Sequence, residues 1–156
     1  MSYRLRSRGA YHEFEPIEAS GGHVVNIMID GVQHRAHYFF SNPQSPESFT
    51  LDRFGSDPEV KYVVIAAGGA GGGSSSSKAG GGGAGGEVIQ GSYHFLEEKA
   101  LPVSVGLGGA GVASAAGNAG QNSSLGTAGT DIFVNASGGS GGPYANPGLS
   151  QAGENV

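Results

Sequence analysis

Four runs dominated by glycine, residues 68–73, 80–86, 106–111 and 138–142, alternate with short apolar segments through the second half of this 156-residue chain. Glycine loses more backbone entropy on ordering than any other residue, so such runs either stay flexible or are held by close neighbours. Three observations favour order. The runs are of similar length, at 6, 7, 6 and 5 residues. Strand-like segments separate them: Val60 to Ile65, Val88 to Leu96, Leu101 to Val105 and Ile132 to Val134. In the third, Leu101, Val103, Val105 and Leu107 alternate with Pro102, Ser104 and Gly106, the period of a half-buried strand. Residues 68–156 also hold only 7 of the 21 charged residues, whereas disordered segments usually stay solvated through net charge.

An ordered glycine run can adopt an extended helix with three residues per turn, a rise of about 3.1 Å per residue and no internal hydrogen bonds. Its N–H and C=O groups then point outward and must pair with neighbouring chains. Without side chains, several runs can lie close enough to pair laterally. Runs of this length span about 15–22 Å, comparable with ordinary strands. The expectation is a set of extended, laterally bonded tracts, in which Gly82→Ala or Gly109→Ala inserts a methyl where backbones approach. Ala70, Ala84 and Ala110 already occupy tract positions, so the effect depends on position.

Residues 1–67 are of a different kind, with 5 of the 31 glycines and 14 of the charges. Residues 23–29, the Asp30-Gly31 pair and residues 32–40 read as a β-hairpin on a type I′ turn. Residues 41–46 form a loop, Ser48 to Leu51 a short strand, and Gly55 to Pro58 a turn before the strand at Val60. No clear periodicity precedes residue 20. No segment carries a helical period. The fold class is therefore all-β, in three parts: an N-terminal arm over 1–22, a hairpin and short strands over 23–67, and a glycine-rich β domain over 68–156.

Composition removes several functions. Without cysteine there are no disulfides, thiol nucleophiles or Cys-ligated zinc and iron–sulfur sites. A net charge of −5 argues against a dedicated nucleic-acid partner. No apolar stretch approaches the ~20 residues of a membrane span. The first residues, Met1 to Arg6, have no hydrophobic core of a secretory signal.

Signatures of catalysis match on paper and fail in context. Residues 106–111 fit Gly-x-Gly-x-x-Gly and have Asp131 twenty residues on, but Gly117 and Gly120 interrupt the helix that a nucleotide site needs. Residues 80–85 and 81–86 fit equally well, as chance predicts in a chain this rich in glycine. Gly138 to Gly142 fits a nucleophile elbow, yet Pro143 follows and the last histidine is His94, so no triad assembles. Lys78 lacks the glycine before it and the Ser or Thr after it of a phosphate loop. His34 and His37 point to opposite faces of a strand, and His12, His23 and His94 show no metal-ligand spacing. No catalytic, cofactor or metal residue is assigned. Arg4, Arg6 and Arg8 alternate along the N-terminal arm and are the candidates for docking on an acidic partner.

The order of elements resembles the glycine-rich domain of tail fibres and other appendage proteins of tailed bacteriophages. The resemblance begins at Ile29 to Phe39 and Ser48 to Leu51. It is most specific where Val60 to Ala67 runs straight into the glycines of 68–73. It continues through 80–86, through Leu101 to Gly111, and through Gly120-Gln121-Asn122-Ser123-Ser124-Leu125-Gly126, which matches a Gly-x-Asn-Ser-Ser-x-Gly turn. Ala136-Ser137-Gly138-Gly139 matches an Ala-x-Gly-Gly strand exit. The chain departs from the pattern after the last run, where the family usually adds further glycine-rich repeats. Residues 1–22 match nothing in it.

The resemblance implies a non-enzymatic virion protein without cofactors, most simply part of a tail fibre or similar appendage used in assembly or host attachment. A capsid decoration or head fibre is the alternative, and an extracellular glycine-rich matrix protein the weaker one. Implied partners are other copies of the chain, with three as the first guess, other virion proteins through the N-terminal part, and a glycan or protein on the host surface. The expected location is the virion, after synthesis in the host cytoplasm. Loops around Ser74 to Lys78 and Tyr144 to Pro147 are the candidates for an exposed tip.

Overall fold

The computed structural model describes residues 15–40, 47–75, 79–130 and 132–144. Among the described residues nine strands follow one another: β1 Glu18–Ser20, β2 His23–Ile29, β3 Val32–Tyr38, β4 Glu47–Arg53, β5 Glu59–Ile65, β6 Val88–His94, β7 Ala100–Ser104, β8 Ser123–Gly126 and β9 Phe133–Ala136. The fold is all-β, as the sequence predicts. Five strands form one antiparallel sheet in the order β1-β4-β7-β8-β9, so this sheet takes strands from both sides of residue 67. β2 pairs with β3, and β5 with β6, as two separate ribbons.

The β2–β3 hairpin turns at Asp30 and Gly31, with φ of 51° and 79°, the left-handed angles that a type I′ turn requires at both central positions. Its register runs from Ile29 opposite Val32 to His23 opposite Tyr38. Most of its side chains are exposed on both faces. It is tied to the main sheet at its base, where His37 Nδ1 lies 2.8 Å from the Gly21 carbonyl oxygen and the imidazole meets the Phe49 ring edge-on.

Alternation of inward and outward side chains makes the core. Val60, Tyr62 and Val64 of β5 turn inward while Lys61, Val63 and Ile65 face solvent. The β5–β6 ribbon packs on β8 and β9. Phe49, Leu51, Phe95, Leu101 and Ile132 fill the space between, flanked by Tyr62, Tyr93, Val103, Leu125 and Val134. Tyr93 meets Phe95 edge-on with ring centroids 4.8 Å apart. The core is small, and it lies wholly among the strands.

Two elements differ from the sequence reading. β1 forms before residue 20, pairing with β4 and carrying an Arg53–Glu18 ion pair of 2.8 Å. A three-residue edge strand has too few side chains to show a period. The second is the segment read as a turn at Ser123 to Gly126, which is β8 and lies between β7 and β9. Its strand character comes from its two neighbours, since Ser-Ser-Leu-Gly has little intrinsic preference for extension.

Candidate functional site

Every glycine run extends a strand. The first tract, residues 66–73, continues β5, and the second, 80–87, leads into β6. The third, 106–111, follows β7; a fourth, 115–121, leads into β8; and the fifth, 137–143, continues β9. Beyond the strands the hydrogen bonding changes period from two to three. Ala66, Gly69 and Gly72 donate to the carbonyls of Glu87, Ala84 and Gly81 at 2.9, 2.9 and 2.8 Å. Ala67, Ala70 and Gly73 donate to Gln121, Asn118 and Ala115 at 3.2, 2.9 and 2.8 Å. A step of three on donor and acceptor alike means that each tract repeats every three residues, the polyproline II geometry.

The same step relates the other tracts. Gly81, Ala84 and Glu87 of the second tract donate to Pro143, Ser140 and Ser137 of the fifth. Gly117 and Gly120 of the fourth donate to Gly142 and Gly139, and Asn118 and Gln121 donate to Ala110 and Leu107 of the third. Gly139 and Gly142 return bonds to Ala67 and Ala70, and Gly109 donates to Gly68. The first tract is thus bonded to all four others. The first, third and fifth tracts run one way, and the second and fourth the other.

Glycine here provides close approach rather than unusual angles. None of the tract glycines has φ in the left-handed region. A methyl added to Gly141 would overlap the Gly117 carbonyl, and one on Gly109 would overlap the Asn118 carbonyl. The expected clash at Gly82 is not found, because a methyl there meets nothing within 4 Å. The fourth tract shows the minimum requirement, with Gly117 and Gly120 three apart and Asn118 and Ala119 between them. Two glycines at that spacing were its signal in the sequence.

Where strand becomes tract, side chains take over N–H groups that the change of period leaves unpaired. Ser123 Oγ accepts from Gly106 N–H at 3.0 Å, Asn122 Oδ1 from Gly138 N–H at 2.9 Å and Gln121 Oε1 from Leu107 N–H at 3.2 Å. Glu87 Oε2 accepts from Ser137 N–H at 2.8 Å. The Gly-x-Asn-Ser-Ser-x-Gly pattern is therefore the junction between the two parts of the fold. Asn and Ser are required there as acceptors.

The structure places the residues of the apparent catalytic signatures in this packing. Residues 106–111 form the third tract, and Gly138 to Gly142 lie in the fifth. His34 is exposed on β3, while His37 is held in the hairpin base. Among the described residues no three His, Asp or Glu side chains converge as metal ligands. A surface depression of about 260 Å³ lies beside the Lys99–Glu97 ion pair and the two threonines Thr127 and Thr130. Arg4, Arg6, Arg8, Asp131 and Lys78 lie outside the described residues.

At the ends of the tracts remote from the strands, chain segments gather. Gly73 bonds to Ala115, and Gly81 bonds to Pro143, which brings Ser74, Ser75, Ala113, Ser114 and Tyr144 to one end. Of the two loops expected at a tip, Ser74, Ser75 and Tyr144 are described, and they lie at this end.

A family model for a glycine-rich domain matches residues 45–155. The chain belongs to the glycine-rich domain family. The matched span takes in β4 through β9 and all five tracts, so the shared pattern is the strand-and-tract architecture. No curated protein matches the chain, and neither does any solved structure.

Proposed function

We propose that this glycine-rich domain protein is a non-enzymatic structural component of a tailed-bacteriophage virion, part of a tail fibre or similar appendage. The observation that carries the reading is the separation of the fold into a side-chain-packed β layer and a backbone-packed bundle that ends in loops. A bundle held by its own backbone can be narrow and still ordered, and it can carry Ser74, Ser75, Ser114 and Tyr144 away from the layer beneath. Small hydroxyl side chains and a tyrosine suit contact with a host glycan or protein. The protein acts with other copies of itself and needs no cofactor.

Docking to the rest of the particle falls to the N-terminal residues, with Arg4, Arg6 and Arg8 meeting an acidic partner. Because Glu18–Ser20 is an edge strand of the main sheet, the clean test removes residues 1–14 and leaves β1 in place. Incorporation into particles is expected to fall while the fold is kept; normal incorporation places docking elsewhere. The primary test is mass spectrometry of purified virions. The protein is expected in the particle, and its absence refutes the proposal. Labelling its position then separates a tail appendage from a head fibre or capsid decoration.

A further inference from the structure

The five tracts form triangles. The first, second and fifth bond mutually, as do the first, fifth and fourth, and the first, fourth and third. Rods of threefold symmetry pack with six neighbours, so three triangles sharing the first tract fill half of the circle around it. The third, first and second tracts must then lie in a row, with the fourth and fifth stacked on one side. No described residue is bonded on the other side of the row.

That open side is where glycine is unexplained by packing among the described residues. Methyls added to Gly82, Gly85 and Gly111 would meet nothing within 4 Å, and those on Gly68, Gly71 and Gly108 would reach no closer than 3.4, 3.4 and 3.9 Å. These are the third-face positions of the three tracts in the row, two on each. Their φ values are ordinary, and glycine loses more backbone entropy on ordering than alanine would. The outward positions of the other layer hold Asn118, Ala119, Ser137 and Ser140 instead. The N–H groups of the six glycines make no hydrogen bond among the described residues. Nothing among the described residues accounts for that face being bare.

We infer that this glycine face is an interface on which a second copy of the chain stacks the same face. A side-chain-free surface with backbone groups every three residues is matched by an extended glycine-rich chain, and this protein supplies three such tracts in a row. The glycine face carries no charge that would repel its copy, and the charged Glu59 and Lys61 of the ribbon lie at the end of β5 away from the tracts. It continues onto the outer surface of the β5–β6 ribbon, where Val63, Ile65 and Val88 are 61%, 60% and 60% exposed. The three tracts cover roughly 15 by 19 Å and the ribbon roughly 10 by 24 Å, taking ordinary strand spacings and rises. Two copies then bury on the order of 1,000 Å² together, the size at which specific interfaces begin. Like faces meeting give a twofold, isologous contact. The inference rests on the geometry of the tracts and holds whichever particle or surface the protein belongs to.

Sedimentation of the full chain at roughly 100 µM is expected to show a dimer in reversible exchange with monomer, as suits an interface of this size. The double variant G82D/G111D places charges where each monomer has room for them. It is expected to raise the dissociation constant at least tenfold with the far-UV circular dichroism unchanged. S140D, on the opposite layer, is expected to leave the dimer intact. Amide exchange at Gly68 and Gly71 should slow with dimer formation in the native chain and not in G82D/G111D. A native chain that stays monomeric overturns the inference, as does any oligomer, trimer included, whose mass G82D/G111D leaves unchanged.

Discussion

Gly141 and Gly111 both lack a side chain and have ordinary backbone angles, yet only Gly141 has a neighbour in the place of a methyl group. Glycine in the interior of the bundle therefore acts through distance between backbones. Gly141→Ala is expected to destabilise the protein by about 1–3 kcal/mol, the usual cost of forcing atoms into a packed site. A shift in the urea midpoint with an unchanged slope would register it. Ser123 is the other residue on which much depends. It is 3% exposed, and its hydroxyl accepts from Gly106 N–H. Ser123→Ala leaves a partly buried donor without its acceptor, so a loss of about 1–3 kcal/mol is expected. Ser123→Thr keeps the oxygen and should recover part of it. If Ser123→Ala unfolds at the native midpoint, the junction is not held by this hydroxyl.

At the scale of elements, the hairpin and the tracts show what a sequence can and cannot display. The Asp30-Gly31 turn is legible because two left-handed residues in succession restrict the choice of amino acid. Gly31→Val is expected to loosen the β2–β3 hairpin, by about 1–2 kcal/mol for an L-residue in the left-handed region. Faster amide exchange confined to residues 23–38 would report it, since the hairpin shares little packing with the core. Equal loss of protection in β5–β9 would contradict that independence. The long glycine runs are legible by composition, and the strands between them by alternation. The fourth tract is harder to see because only Gly117 and Gly120 are fixed by it, a period of three with two members. The open face is invisible in sequence. Gly82 and Gly83 are adjacent and alike, and only the threefold turn of the chain places one outward and the other against the Gly69 carbonyl.

For the whole molecule, the β layer and the bundle are one chain-continuous structure in which five strands become five tracts. The large side chains of the core lie among the strands, with Leu51 and Phe95 each 1% exposed, while the tracts are held chiefly by hydrogen bonds and close backbone contact. Each such bond contributes about 0.5–1.5 kcal/mol net, against the high entropy cost of ordering glycine. The bundle is therefore expected to depend on the layer for its register. Leu51→Ala, which removes about 2–5 kcal/mol from the core, should lower protection in the tracts as much as in the strands. The central claim is that the tracts are ordered with a three-residue repeat. Residue-resolved amide exchange over residues 66–73, in G82D/G111D at low concentration, tests it most directly. The predicted result is slow exchange at Ala66, Ala67, Gly69, Ala70, Gly72 and Gly73, with fast exchange at Gly68 and Gly71. Uniform exchange at unfolded-chain rates would contradict it.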